Sequence, residues 1–129
     1  MKALLISALA SLAAGMAWAD PSTECGVDHD SQVEIADCVA AIEARVDASM
    51  AIMLGFAVDA AKELDGMTGR VVAGPALEAA QAAWIAYRDA HCEHVGATYG
   101  GGSGTGIAIR SCRIELGRAR EAELRSLLP

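Results

Sequence analysis

The helical character of this chain is clearest between residues 80 and 92, which read Ala80-Gln81-Ala82-Ala83-Trp84-Ile85-Ala86-Tyr87-Arg88-Asp89-Ala90-His91-Cys92. Alanine, which has the highest helix propensity, occupies five of these 13 positions. Trp84 and Arg88 are four residues apart, so they share one helix face. Pro75 suits the first turn of such a helix and Gly96 suits its end. We therefore predict a helix from about Pro75 to Gly96.

A longer helix is predicted upstream. Residues 31–34 (Ser-Gln-Val-Glu) match a capping box, in which a serine caps the helix and a glutamate reaches back to the cap. Apolar residues then recur at steps of three and four from Ile35 to Leu64, which indicates an amphipathic helix. The pair Asp65-Gly66 is a candidate stop. Residues 20–30 and 67–74 are predicted to be loops.

A third helix is predicted after a glycine-rich loop. Residues 99–106 contain five glycines in eight positions, a composition typical of a loop. The third helix is expected to begin at about Ile107. We expect its outer surface to be basic through Arg110, Arg113, Arg118, Arg120 and Arg125.

These elements predict an all-α fold, a small antiparallel bundle of about three helices, because short connections make consecutive helices antiparallel. Residues 20–129 contain 21 alanines and 29 large hydrophobic residues, among them one Phe, one Trp and two Tyr. Such a composition is enough for a thin helical core and too little for a β-sandwich. We predict one domain, residues 20–129.

The first 19 residues are predicted to be a signal peptide. Lys2 provides a positive start, residues 3–16 form an apolar segment, and Ala17-Trp18-Ala19 matches a cleavage site. Cleavage after Ala19 predicts a periplasmic or secreted protein. The alternative is an uncleaved membrane anchor, although the apolar run is slightly short for a bilayer span.

The mature chain is strongly acidic. Without Lys2 it has nine basic and 17 acidic residues, a net charge of −8, and residues 20–66 alone contain 11 acidic and two basic residues. This charge disfavours nucleic acid and anionic lipid surfaces as partners. A cationic protein is favoured, because opposite charge accelerates encounter.

The four cysteines, Cys25, Cys38, Cys92 and Cys112, predict two disulfides, since an even number is typical of small exported domains. Geometry leaves all three pairings open. We favour Cys25 with Cys38 and Cys92 with Cys112 because both pairings close short loops. Zinc bound at His91, Cys92 and His94 is the alternative, but this spacing matches no standard zinc site. No metal or cofactor is predicted.

No catalytic residue is predicted. Ser103 has no nucleophile-elbow sequence around it, and the glycine run lacks the Gly-Lys-Ser/Thr ending of a phosphate-binding loop. Trp84 is expected to anchor the core, with Arg88 reaching a carboxylate on a neighbouring helix, for which Asp47 is the candidate. The alternative is an exposed Trp84/Arg88 contact for a partner.

Residues 80–92 also resemble a known family. Together with Gly102-Ser103, Cys112, Leu116, Arg120 and Leu124, they resemble the C-terminal signature of the LprI-like bacterial lysozyme inhibitors. Upstream, Gln32, Cys38 and Asp47 stand where that family has a glutamine, a cysteine and an aspartate. The resemblance extends roughly from Gln32 to Leu124. It implies an exported helical protein, with a structural or binding role for the motif residues Gln81, Trp84, Arg88, Asp89 and Asp47.

The resemblance implies binding to a cationic lysozyme. Animal-type lysozymes hold two carboxylates in a cleft. An acidic domain would be steered towards such an enzyme, and the loop at residues 99–106 could enter the cleft, with Tyr99, Gly102 and Ser103 as candidate contacts. The alternative is a non-enzymatic cell-envelope module with another protein or small-molecule partner.

Overall fold

The computed structural model describes residues 20–128, which form four helices and no strand. The helices are α1 (Pro21–Gly26), α2 (Gln32–Thr68), α3 (Ala73–Ala97) and α4 (Thr105–Ser126). The three long helices confirm the predicted antiparallel bundle, to which α1 is added. The predicted signal peptide lies outside the described residues. None of the helices described is long and apolar enough to cross a membrane.

The long helices differ in length, and this leaves one end of the bundle thin. Helix α2 has 37 residues and α4 has 22, which correspond to about 55 and 33 Å. Helix α4 packs against both α2 and α3, but the far ends of those two helices extend beyond it. Leu64, which we expected on the inner face of α2, is 48% exposed there. That expectation was wrong because, within residues 20–128, no third helix covers this position.

Two apolar clusters form the core. The first surrounds Val39 and Ile114, both fully buried, near the start of α2. The second contains Met50, Ala57 and Leu124, with Trp84 packed against it. Fully burying such side chains contributes about 1.5–3 kcal/mol each, so the core depends on a small number of residues.

Two glycines allow close contact between the helices. A Cβ at Gly117 of α4 would lie 2.7 Å from Cγ1 of Val46 in α2. A Cβ at Gly96 of α3 would collide with the side chain of Ile109 in α4. Larger residues at either glycine would force the helices apart.

The first predicted loop contains a helix, so the prediction for residues 20–30 was wrong. The Asp20 side chain accepts hydrogen bonds from the backbone N–H groups of Ser22 and Thr23, and Pro21 occupies the first turn. Cap and proline together favour a helix start. The disulfide between Cys25 and α2 then holds this short helix against the bundle.

The predicted stop at Asp65-Gly66 was also wrong. Helix α2 continues to Thr68, and Gly69 ends it with a φ of +67°. Asp65 is buried, and its carboxylate accepts the backbone N–H groups of Val72, Ala73 and Gly74 at 2.8–3.0 Å. It therefore caps the start of α3 from the preceding helix.

The other helix boundaries lie close to their predicted positions. Pro75 is in the first turn of α3, as predicted, and α3 ends at Ala97, one residue after Gly96. Helix α4 begins at Thr105, two residues before Ile107. The glycine-rich connection is correspondingly short.

The cap at Asp65 makes stability depend on pH. Hydrogen bonds from Gly74, Ala73 and Val72 outweigh burial and lower the pKa of this carboxyl. A lowered folded pKa contributes stability that is present above the unfolded pKa of about 3.9 and is lost as the pH falls through the folded pKa. We expect Asp65→Asn to be less stable near neutral pH and to lose less stability on acidification.

Urea unfolding of the two proteins across the acid range measures this difference. Glu63→Gln, which removes an exposed carboxylate from the same helix, is the control and should leave the acid dependence unchanged. Equal acid dependence in Asp65→Asn and the parent protein would contradict the assignment.

Candidate functional site

Both predicted disulfides are confirmed. Cys25 is bonded to Cys38, which joins α1 to α2, and Cys92 is bonded to Cys112, which joins α3 to α4. The two bonds close loops of 13 and 20 residues, and each is expected to stabilise the fold by about 3 kcal/mol. They lie at the same end of the bundle as the glycine-rich connection. We call this part, residues 20–38 and 91–116, the loop end.

The glycine-rich connection is a compact turn. Gly100 and Gly101 have φ values of +65° and +81°, which other residues adopt rarely. The N–H of Tyr99 donates to the carbonyl of Gly96 at 3.0 Å, and further turn hydrogen bonds follow along the loop. The backbone of the loop is therefore held by its own hydrogen bonds and, at its base, by the Cys92–Cys112 disulfide.

The three predicted contact residues lie on the outside of this turn. Tyr99 is 56% exposed, and its ring lies against Gly104, where an added Cβ would be 3.5 Å away. Gly102 and Ser103 are exposed. The side chain of Ser103 forms no hydrogen bond with any of residues 20–128. The turn thus presents uncharged donors and acceptors and one aromatic ring to the solvent.

The loop end also contains exposed carboxylates. Asp28, Asp30 and Asp37 are exposed, and within residues 20–128 none of them forms an ion pair. Glu34, one helix turn before Asp37, belongs to the confirmed capping box. The hydroxyl and then the backbone N–H of Ser31 lower the pKa of Glu34, so this carboxylate stays charged in mildly acidic solution.

The outer surface of α4 is not a basic stripe, so that expectation was wrong. The arginine side chains reach neighbouring helices or the next turn: Arg110 binds Glu43, Arg113 binds Glu43, Asp89 and Glu93, Arg118 binds Glu24, Arg120 binds Gln81 and Glu123, and Arg125 binds Glu121. An arginine has a long stem and five donors, which allow it to contact acids on another helix. Six of the nine Lys and Arg residues in the described chain, these five and Arg88, therefore bind a carboxylate.

One of these pairs is bidentate. Nη1 and Nη2 of Arg118 donate to the two carboxylate oxygens of Glu24 at 2.8 and 3.0 Å. The hydrogen bonds from Arg118 lower the pKa of Glu24, and those to Glu24 raise the pKa of Arg118. Both groups stay charged, and they fix α1 to α4.

The predicted pair of Arg88 and Asp47 is confirmed. Nη1 of Arg88 lies 3.0 Å from Oδ1 of Asp47 on α2, and its Nε lies 3.1 Å from Oδ1 of Asp89. The guanidinium also lies over the Trp84 ring, 5.2 Å from its centre. The side chain of Arg88 is 13% exposed, whereas that of Asp47 is 45% exposed. These contacts favour a structural role for the motif.

Sequence reasoning missed how far this network extends. Arg113 contacts Asp89 and Glu93 on α3 and Glu43 on α2, so one side chain joins three helices. One feature of the sequence could have indicated this network: Glu43 and Asp47 are four residues apart, so both carboxylates lie on one face of α2. Gln81 is buried, and its Oε1 accepts a hydrogen bond from Nε of Arg120 at 3.0 Å. Nothing in the sequence indicated this contact.

The loop end combines hydrogen-bonding groups with negative charge. No group of three or more His, Cys, Asp and Glu side chains among residues 20–128 could hold a metal ion. The loop end presents an ordered uncharged turn and, on the preceding elements, exposed carboxylates without an ion pair. Such a surface can donate and accept hydrogen bonds and attract a cation.

The Arg88–Asp47 contact can be measured by a double-mutant cycle. We expect Arg88→Met and Asp47→Asn to be coupled by about 1 kcal/mol, because the arginine is nearly buried and Asp47 is half-exposed. The exposed Arg125–Glu121 pair is the control, with an expected coupling of about 0.3–0.5 kcal/mol. Urea unfolding gives both values, and equal couplings would contradict the structural role.

Comparisons with known proteins agree with this architecture. The model of the family described as lysozyme inhibitor LprI matches residues 23–124, a segment that includes both disulfides and the Arg88–Asp47 pair. An uncharacterised protein of Rhizobium meliloti (strain 1021) is 47% identical over 53 residues, which are 41% of this chain and 38% of that protein. No solved structure matches the chain. On the family match, the chain belongs to the LprI family of lysozyme inhibitors.

Proposed function

We propose that this protein is an exported inhibitor that binds a cationic lysozyme with its loop end. Family membership supports the inhibitor role. The observation that carries the binding mode is the set of exposed carboxylates without an ion pair, Asp28, Asp30 and Asp37, at the same end of the bundle as the ordered turn at residues 98–104. The predicted signal peptide and the two disulfides support an exported protein, periplasmic or secreted.

The distribution of charge follows from the ion pairs. Most arginines are paired with carboxylates of the same chain, so they contribute little positive field at the loop end. The exposed aspartates are left without compensation. Clustered charge of one sign raises the association rate of an oppositely charged protein, by 10–10³-fold in favourable cases. We infer that these aspartates guide the encounter with the enzyme.

The turn suits the second step, entry into the cleft. Residues 98–104 have no charged side chain, so the two carboxylates of a lysozyme cleft would not repel them. The hydroxyls of Tyr99 and Ser103, and the backbone N–H groups of the turn that form no turn hydrogen bond, can donate hydrogen bonds to those carboxylates. The disulfide and the turn hydrogen bonds reduce the entropy that the loop loses on binding.

The charge proposal is tested by neutralising the loop end. We expect the combined variant Asp28→Asn, Asp30→Asn and Asp37→Asn to bind a cationic animal-type lysozyme with an association rate about tenfold lower at low ionic strength. The difference should shrink at about 0.15 M salt, where charges are screened over about 8 Å. Stopped-flow binding and a cell-wall lysis assay measure rate and inhibition.

The matched control is Asp59→Asn, Glu63→Gln and Glu78→Gln, which removes the same charge from exposed positions towards the other end of α2 and α3. It should retain most of the association rate. Equal losses in both triple variants would exclude the loop end as the binding surface. Failure of the parent protein to bind or inhibit at tens of micromolar would refute the inhibitor proposal.

Contact by the turn is tested at its aromatic residue. We expect Tyr99→Ala to weaken lysozyme binding by about tenfold or more, because a central aromatic side chain is often an energetic hot spot. Tyr87→Ala is the control, since Tyr87 is also 56% exposed but lies about 18 Å away along α3. Calorimetry measures both affinities, and a larger loss in Tyr87→Ala would contradict this placement of the contact.

A further inference from the structure

A cavity of about 390 Å³ lies at the loop end, between α1, the start of α2, the end of α3 and the first turns of α4. Its volume is within the range of small-ligand pockets, about 300–1,000 Å³. Ile35, Val95, Ile107 and Leu116 give it apolar walls. Tyr99 and Gly104 also line it, so the cavity opens beside the proposed contact turn.

The wall of this cavity contains an unpaired hydroxyl. Ser111 is 4% exposed, and its Oγ has no hydrogen-bond partner among residues 20–128. A buried polar group without a partner costs free energy, so most such groups in proteins are paired. Ser111 is one of the residues that line the cavity, so a group that fills the cavity would lie against this residue.

The charge at the cavity is negative. Glu115 and Asp20 line it, and no Lys or Arg does. Burial and then the Asp20 carboxylate raise the pKa of Glu115, while Arg118 opposes them. Arg118 does not line the cavity and is paired with Glu24, so the two carboxylates of the lining, Asp20 and Glu115, give it a net charge of −2. An α-amino group created by cleavage after Ala19 would still leave one net negative charge.

We propose that this cavity accepts an arginine side chain of the bound protein. The aliphatic stem would lie along the apolar walls, and the guanidinium would donate hydrogen bonds to Oγ of Ser111 and to the carboxylate of Glu115. An arginine fits because it combines an apolar stem with a charged head that has five donors. A guanidinium is also more weakly hydrated than an ammonium group, so it enters a half-buried site at lower cost.

The partner's identity in this inference depends on the proposed function, but the cavity itself can be tested alone. The probe is N-acetyl-arginine N-methylamide, titrated into the oxidised chain beginning at Asp20. We expect saturable NMR shifts at the amides of Ser111 and Ile107, with a Kd of about 1 mM. The citrulline counterpart has nearly the same shape and no charge, and it should bind at least about tenfold more weakly.

Two variants locate the site. Glu115→Gln should weaken the probe about threefold to tenfold without disturbing the fold, since the residue is exposed at the cavity mouth. Ser111→Val should have a similar effect on the probe. Glu63→Gln, an exposed carboxylate remote from the cavity, is the control and should leave the Kd unchanged.

The outcomes separate this inference from the proposed function. Equal binding of the arginine and citrulline probes, or equal losses in Glu115→Gln and Glu63→Gln, would refute the cavity assignment even if lysozyme is inhibited. Probe binding with no loss of lysozyme affinity in Glu115→Gln would refute a lysozyme side chain as the occupant and indicate a free guanidinium compound. Competition between the probe and lysozyme, together with the variant losses, would support the inference in full.

Discussion

The scarcity of large apolar side chains constrains the rest of this structure. With one Trp, one Phe and two Tyr after residue 19, the helices cannot be held apart by bulky residues and must approach closely. Gly117 against Val46 and Gly96 against Ile109 are the points where they do so. A thin core buries little apolar area, so other interactions have to contribute. The two disulfides and the arginine contacts of α4 supply them.

Those arginine contacts also determine what the surface presents. Two groups of carboxylates can be distinguished between residues 24 and 47. Glu24, Glu43 and Asp47 bind arginines of α3 and α4 and hold the helices together. Asp28, Asp30 and Asp37 have no such partner among the described residues. The carboxylates that bind arginines thus stabilise the fold. In our proposal, the carboxylates without an arginine partner take part in recognition.

Much of the fold could be predicted from periodicity and spacing, but contacts between distant residues could not. The three long helices follow from apolar steps of three and four, and the disulfides follow from short loops. Asp65 was predicted to end α2 because an Asp-Gly pair is common at the ends of helices. Its carboxylate instead caps the start of α3. The Arg88–Asp47 pair was predicted because an inward-facing arginine needs a carboxylate on a neighbouring helix, whereas the reach of Arg113 across three helices depends on the packing itself. The cavity at the loop end also depends on how the helices pack, so it could not be predicted from the sequence.

Ser111 places a polar side chain at a buried position of the loop end, where an apolar side chain would be expected to give greater stability. It follows Ile107 by four residues and precedes Ile114 by three, so it occupies an inward position between two core residues of α4. An apolar residue there would fill space and remove an unpaired hydroxyl. Proteins that break a local rule of packing usually do so where function requires it. In our proposal, this serine is kept for recognition at the cavity that it lines with Glu115 and Tyr99, and not for packing.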